Sequence, residues 1–273
     1  MEPLENIRYE VLPFGTVEDE ARAATRRLTL TVTCSPKHGL DHSVDVACRL
    51  ADVGHRVVMH VAARRVRSAD HAEELLAKLA VSGVHDVFLV GGDCETPLGP
   101  YAGAGDLLGL LRDSPNAPRS IGVAAYPEGH PAIADDVLLD VLRAKDGVAD
   151  YMVTQLCFDP AVLLGWLERT RAAGIGLPLY AGVPGLVDRR RLAEISLRVG
   201  VGNSLAFLRK QHGLRHLLGR HGHAAGTLCD ALAPLVGGQL GIAGLHFFTF
   251  NRLGETARFA EGLAINHQEH SAA

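Results

Sequence analysis

Eight short runs rich in Val, Ile, Leu, Ala and Phe recur along the chain, at residues 7–12, 28–33, 56–61, 86–90, 121–125, 150–155, 177–182 and 244–250. They are nearly continuous in apolar residues rather than alternating, and Gly, Pro or Asp bounds them. Such runs fit strands covered on both faces, as in a parallel sheet. Between them the apolar spacing lengthens to that of a helix. Val44, Ala47, Cys48 and Ala51 share one stripe over 41–51. Over 68–80, Ser68 stands as the cap and Leu75, Leu76 and Leu79 form the face; over 133–142 the face is Val137, Leu138, Val141 and Leu142. Strand followed by helix, eight times, predicts an α/β protein: one domain, 1–273, folded as a single (β/α)8 TIM-type barrel. One interval breaks the rhythm. Residues of about 183–242 separate the seventh and eighth strands and hold helical patterns at 189–199, 203–215 and 227–236, which reads as a helical insertion able to cover a site.

Polar residues that close apolar strands mark the carboxyl-end face, where barrels of this kind build their sites. Glu10 stands inside an apolar run, between Tyr9 and Val11, so its carboxyl is expected in the barrel interior or its mouth. Burial there would raise its pKa and suit a general acid, the alternative being a carboxylate satisfied by a cation in a barrel layer. Asp93 follows Gly91-Gly92, too far ahead of the next helix to cap it. Ala124-Ala125 lead into Tyr126, and Pro127 and Pro131 frame a rigid loop bearing Glu128 and His130, a setting for a flat ligand. Gln155 ends a strand, where a buried amide needs a polar partner, and His60 ends another.

Composition narrows the classes. The chain is 47% hydrophobic and 21% charged with a net charge of -4 and a pI near 6.4, which points to neither nucleic acid nor an anionic membrane surface. No apolar run approaches the roughly 20 residues of a membrane span. The opening Met1-Glu2-Pro3-Leu4-Glu5-Asn6 lacks signal-peptide regions, and five scattered cysteines read as reduced thiols, so a cytoplasmic protein is expected. No metal site is expected either: His212 and His216 have helical ligand spacing but no neighbouring Glu, and Gly213 lies between them. Gly103-Ala104-Gly105 lacks the third glycine of a dinucleotide fingerprint, and no nucleophile elbow surrounds Ser35 or Ser43.

Taken in order, these segments resemble the methylenetetrahydrofolate reductase family over nearly the whole chain. Tyr9-Glu10-Val11-Leu12-Pro13-Phe14 resembles its Phe-Glu-Phe-Phe-Pro-Pro opening, and Thr31-Val32-Thr33 its Ser-Val-Thr strand. Val90-Gly91-Gly92-Asp93 is similar to Leu-Arg-Gly-Asp, and residues 124–131 to Ala-Ala-Tyr-Pro-Glu-x-His-Pro. Val153-Thr154-Gln155 with Phe158-Asp159 matches Ile-Thr-Gln-x-x-Phe-Asp, and residues 246–252 match His-Phe-Tyr-Thr-Leu-Asn-Arg. The resemblance implies reduction of 5,10-methylenetetrahydrofolate to 5-methyltetrahydrofolate by NADH or NADPH, usually through FAD. It implies that Glu10 is the acid that opens the five-membered ring and Asp93 a catalytic carboxylate near the pterin. Gln155 and Arg252 would bind folate, and Thr33, His60, Tyr126, His130 and Arg143 would line the flavin or nicotinamide.

Departures from the family pattern bear on the flavin. Gly91 replaces an Arg, and Val137, Asp140 and Arg143-Ala144 stand where the family has Asp, Asn and an Arg-Lys pair, with Lys145 one position away. Each lost charge-assisted bond is worth roughly 1.5–3 kcal/mol. The expectation is therefore direct hydride transfer from NAD(P)H without tightly bound FAD. The rivals are a conventional FAD enzyme, a non-catalytic folate- or flavin-binding barrel and a one-carbon transferase. A small-molecule folate is the expected partner, with no nucleic acid and no membrane. Oligomeric state and the choice between NADH and NADPH leave no mark in the sequence.

Overall fold

The structure, a computed structural model, describes residues 6–130, 133–186 and 223–271. Eight strands follow the apolar runs: β1 (Ile7–Val11), β2 (Thr29–Val32), β3 (Arg56–Ala62), β4 (Asp86–Val90), β5 (Ser120–Ala125), β6 (Tyr151–Thr154), β7 (Leu179–Pro184) and β8 (Ile242–Phe248). They pair in chain order and close into a barrel. Among the described residues the helices are α1 (Val17–Arg22), α2 (Gly39–Asp52), α3 (Ala69–Val81), α4 (Ala104–Asp113), α5 (Asp135–Lys145), α6 (Pro160–Ala172), α7 (His223–Leu232) and α8 (Leu253–Ser271), so that strand and helix alternate. This is the expected (β/α)8 fold. Among the described residues no helix is long and apolar enough to cross a membrane.

Residues cluster into two compact units, one of Arg8–Ala124 with Lys145–Met152, the other of Met1–Ile7, Ala125–Ala144 and Val153–Ala273. In the first, parallel register links Glu10 to Thr31, Thr31 to Val58, Val58 to Asp86 and Asp86 to Ser120. Near the amino ends of these strands lies a polar plug. Arg8 Nη2 donates to Asp86 Oδ2 at 3.2 Å and Tyr151 OH to Asp86 Oδ1 at 2.7 Å, while the Arg8 guanidinium lies 4.0 Å from the Tyr151 ring centroid. Gly122 makes room for that ring, since a Cβ there would come within 2.1 Å of it. Outside the strands, α2 buries Val44, Ala47 and Cys48 of its expected stripe but leaves Ala51 half-buried, with Leu40 and Leu50 buried beside them, and α3 buries Leu75, Leu76 and Leu79 as its stripe predicts. Ser68 caps α3 by accepting the His71 N–H at 3.1 Å.

In the second unit, β7 pairs with β8 from Leu179–Ile242 to Pro184–Phe248. Asp159 caps α6 by accepting the Ala161 N–H at 2.8 Å, and Pro160 opens the helix. At the far end of α6, Arg171 donates to the carbonyls of Ile175, Leu177 and Leu240, which ties the helix exit to the approaches of β7 and β8.

Three expectations need correction or bounding. The helix expected over 133–142 begins at Asp135, and of its apolar stripe only Leu142 is buried; Val137 is 48% and Val141 43% exposed. Periodicity reports that a stripe exists, not that a neighbour covers it. The last strand stops at Phe248 rather than residue 250, because Phe250 and Asn251 take left-handed backbone, φ 52° and 60°, which no strand accommodates. Within the interval 183–242, α7 and a 3-10 turn at Ala233–Leu235 stand where 227–236 was expected to be helical. The helices expected at 189–199 and 203–215, with His212 and His216, lie outside the described residues.

Candidate active site

Glu10 is the penultimate residue of β1, flanked by the buried Tyr9 and Val11. Alternation along the strand turns its carboxyl to the opposite face, the face that also carries Arg8. Burial pushes its pKa from 4.5 up to about 7, against the pull of nearby His60. His60 lies two residues inside β3 rather than at its end, since Val61 and Ala62 continue the strand, and its ring meets Phe88 edge-on at 4.7 Å. Thr33 follows β2 and donates its N–H to Val11 O at 3.0 Å. Its hydroxyl oxygen is buried without a partner among the described residues.

The raised carboxyl has a thermodynamic signature. Between pH 4.5 and about 7 the folded chain holds the Glu10 proton more tightly than the unfolded chain does, so its contribution to stability falls as pH rises across that window. Asp86, raised by burial from 3.8 to about 6, acts in the same direction. The Glu10→Gln variant is expected to be more stable than the parent at pH 8, by on the order of 1–3 kcal/mol after discounting for partial solvent access, and no more stable at pH 4.5. Melting curves at the two pH values check this; equal melting temperatures at pH 8 would mean that the carboxyl carries no burial cost.

Asp93 stands on the loop after β4, with a side chain 70% exposed. Gly92 shapes that loop: its φ is 92°, and a Cβ would meet Ala62 Cβ at 3.0 Å. Arg65, on the 3-10 turn Ala63–Arg65 after β3, places Nη2 3.8 Å from Asp93 Oδ1. Its neighbour Arg64 donates from Nε to Ala102 O at 2.8 Å and from Nη1 to Cys94 O at 3.0 Å, clamping the same loop. Neither arginine was singled out from the sequence. The only signal was three cations, Arg64, Arg65 and Arg67, just past a strand end.

In the second unit, Tyr126 and His130 meet edge to face, centroids 5.1 Å apart at 82°. Burial raises the Tyr126 pKa, which keeps its hydroxyl protonated. Glu128, on the same loop, hydrogen-bonds the Cys157 thiol, another contact the sequence did not reveal. Gln155 follows β6, half-buried, its N–H donating to Ala125 O at 2.8 Å and its Oε1 accepting from Leu156 N–H at 3.2 Å. Arg252 pairs with Glu255 through Nε at 3.2 Å and Nη2 at 2.5 Å, and donates from Nη1 to Leu186 O at 3.1 Å. Most of its guanidinium is thus engaged within the chain.

The residues that would grip a flavin pyrophosphate fit it poorly. Arg143 is exposed and held at 2.5 Å by Asp140, whose charge opposes a phosphate. Val137 offers no polar atom and Gly91 no side chain. No group of three His, Cys, Asp or Glu able to hold a metal occurs among the described residues.

A closed (β/α)8 barrel with a raised carboxyl near the end of β1 and further polar residues just past its strands belongs to the class of TIM-type barrels with sites at the carboxyl ends of the strands. Within that class, residues 20–263 match the family model described as methylenetetrahydrofolate reductase, and the chain belongs to that family. It is 39% identical over 82 residues to methylenetetrahydrofolate reductase 1 of Schizosaccharomyces pombe, covering 29% of this chain and 14% of that protein. It is 31% identical over 180 residues to 5,10-methylenetetrahydrofolate reductase of Salmonella typhimurium, covering 63% and 58%. The matched stretches thus span less than two thirds of these relatives' own length. Among solved structures, a Clostridium thermocellum protein described as binding two copies of 5-methyl-5,6,7,8-tetrahydrofolic acid superposes with a TM-score of 0.68 at 14% identity, covering 97% of this chain and 95% of that one. That likeness is one of fold.

Proposed function

We propose that this protein reduces 5,10-methylenetetrahydrofolate to 5-methyltetrahydrofolate, taking the hydride directly from a reduced nicotinamide dinucleotide. The observation that carries the reading is the Glu10 carboxyl, held at about 7 by burial in a chain of this family. An acid of that strength keeps its proton at neutral pH and can still release it. Glu10 protonates N10 of the folate, the N10–methylene bond breaks, and the methylene remains on N5 as an iminium. Hydride from the nicotinamide C4 adds to that carbon, leaving a methyl group and oxidised dinucleotide. One proton and one hydride are consumed, so the reaction balances.

Asp93, in the first unit, offers an acceptor to the pterin; for Gln155 and Arg252, in the second, the folate role rests on the resemblance alone. In the first unit Thr33 and His60 take the nicotinamide role, Thr33 bringing a buried hydroxyl that has no partner among the described residues; for Tyr126 and His130, in the second, that role rests on the resemblance alone. The poor fit of Arg143 to a flavin pyrophosphate supports direct transfer. Loss of absorbance at 340 nm that requires methylenetetrahydrofolate, with 5-methyltetrahydrofolate formed in equal amount, is the expected result; no consumption of NADH or NADPH would overturn the reading. Gln155→Leu leaves polar pterin atoms unpaired and is expected to weaken folate binding about 10- to 100-fold, from roughly 1–3 kcal/mol. Titration of 5-methyltetrahydrofolate checks this, and unchanged affinity would remove Gln155 from the pocket.

A further inference from the structure

Arg65 is a cation with unused bonding capacity. Its side chain is 15% exposed, and its contact with the far more exposed Asp93 is 3.8 Å, beyond hydrogen-bond length. Among the described residues it makes no hydrogen bond, although a guanidinium carries five N–H donors. A guanidinium that is mostly covered yet makes no hydrogen bond within the described residues keeps its donors available to a ligand that reaches its open edge.

The placement of this pair is built. The β3 turn and the loop after β4 are laced by Arg64 N–H to Gly91 O at 3.0 Å and Leu98 N–H to Arg64 O at 2.8 Å. The Arg64 side chain adds its bonds to Cys94 O and Ala102 O, and Asp106 Oδ2 accepts from the N–H groups of Ala102 and Gly103. Gly99 packs so closely on the backbone of Val66 and Arg67 that a Cβ would lie 2.3 Å from Val66 O. The Cys34 thiol, next to both charges, is pushed up to about 11 chiefly by burial, so it stays neutral and does not compete for Arg65.

A donor beside an acceptor, on backbone that is laced in place, matches a planar edge on which a carbonyl adjoins N–H groups. A phosphate or carboxylate suits it badly, because Asp93 would repel the anion that Arg65 attracts. We propose that Arg65 and Asp93 together bind the pyrimidine edge of the pterin, Arg65 donating to the 4-carbonyl while Asp93 accepts from N3–H and the 2-amino group. This rests on the folate reading above and adds to it a binding residue, Arg65, that orients the ring.

The test is binding of 5-methyltetrahydrofolate and of 6-methyltetrahydropterin, which keeps the pterin edge and lacks the glutamate tail. Arg65→Met is expected to weaken both about 10- to 100-fold and to equal extents. Arg65→Lys keeps the charge but loses the planar fork, and is expected to weaken both by about threefold to tenfold; it decides the matter if the Met variant does not fold. Failure of the parent protein to bind either ligand would sink the folate reading itself. A parent that binds both, with variants that bind them equally well, would overturn the role of Arg65 alone. A loss confined to the folate would place Arg65 at the glutamate tail and overturn it too.

Discussion

Glu10→Gln is expected to slow turnover by a factor on the order of 10²–10⁴ while folate binding persists. Gln matches Glu in shape and cannot give up a proton to N10, so the ring-opened iminium forms only by slower protonation from solvent. The parent should work with Glu10 protonated, so activity should fall as pH rises through about 7, the value to which burial pushes the carboxyl. That descending limb should be absent from the residual activity of the variant. Turnover measured from pH 5.5 to 9, beside a folate titration, checks both. A Gln variant with near-normal turnover would take Glu10 out of the mechanism. The same substitution is expected to stabilise the fold at pH 8, so lost activity and gained stability should appear together.

Much of this site was legible because a polar residue within a doubly covered strand has few reasons to be there. Glu10 between Tyr9 and Val11 is such a residue, and the structure gives it the raised pKa its setting implies. The strands were legible for a related reason, since burial on both faces leaves continuous apolar runs. Where the physics is not local, the sequence was silent. Asp86 and Tyr151 look like boundary residues of separate strands, and only closure of the sheet brings them to Arg8. Of Arg64, Arg65 and Arg67, nothing in the order of residues says that Arg65 is the one without side-chain hydrogen bonds among the described residues. The run Phe248-Thr249-Phe250 carries no sign that the backbone turns left-handed at its end.

Restoring the cations of the family, by Gly91→Arg with Ala144→Lys, is expected to raise FAD affinity by at least 10-fold, since each charge-assisted bond to a phosphate is worth roughly 1.5–3 kcal/mol. Gly91 can accept the change: its φ is not positive, and a Cβ there meets nothing within 4 Å. Under the direct transfer proposed above, both substrates must be bound in the parent before hydride moves, with reacting carbons roughly 3–3.5 Å apart. Initial-rate patterns should therefore intersect, as for a sequential mechanism. Parallel lines, or activity that appears only when FAD is added, would show that a carrier takes part.

The route of the hydride can be followed atom by atom. NADH carrying deuterium at the transferred C4 position is incubated with the parent protein and methylenetetrahydrofolate in ordinary water, and the methyl group of the product is examined by mass spectrometry and NMR. Direct transfer predicts one deuterium in every 5-methyl group formed. A methyl group formed at full rate with its deuterium diluted by solvent hydrogen would show an exchangeable carrier between the two substrates, and absence of any methylated product would contradict the reductase reading altogether.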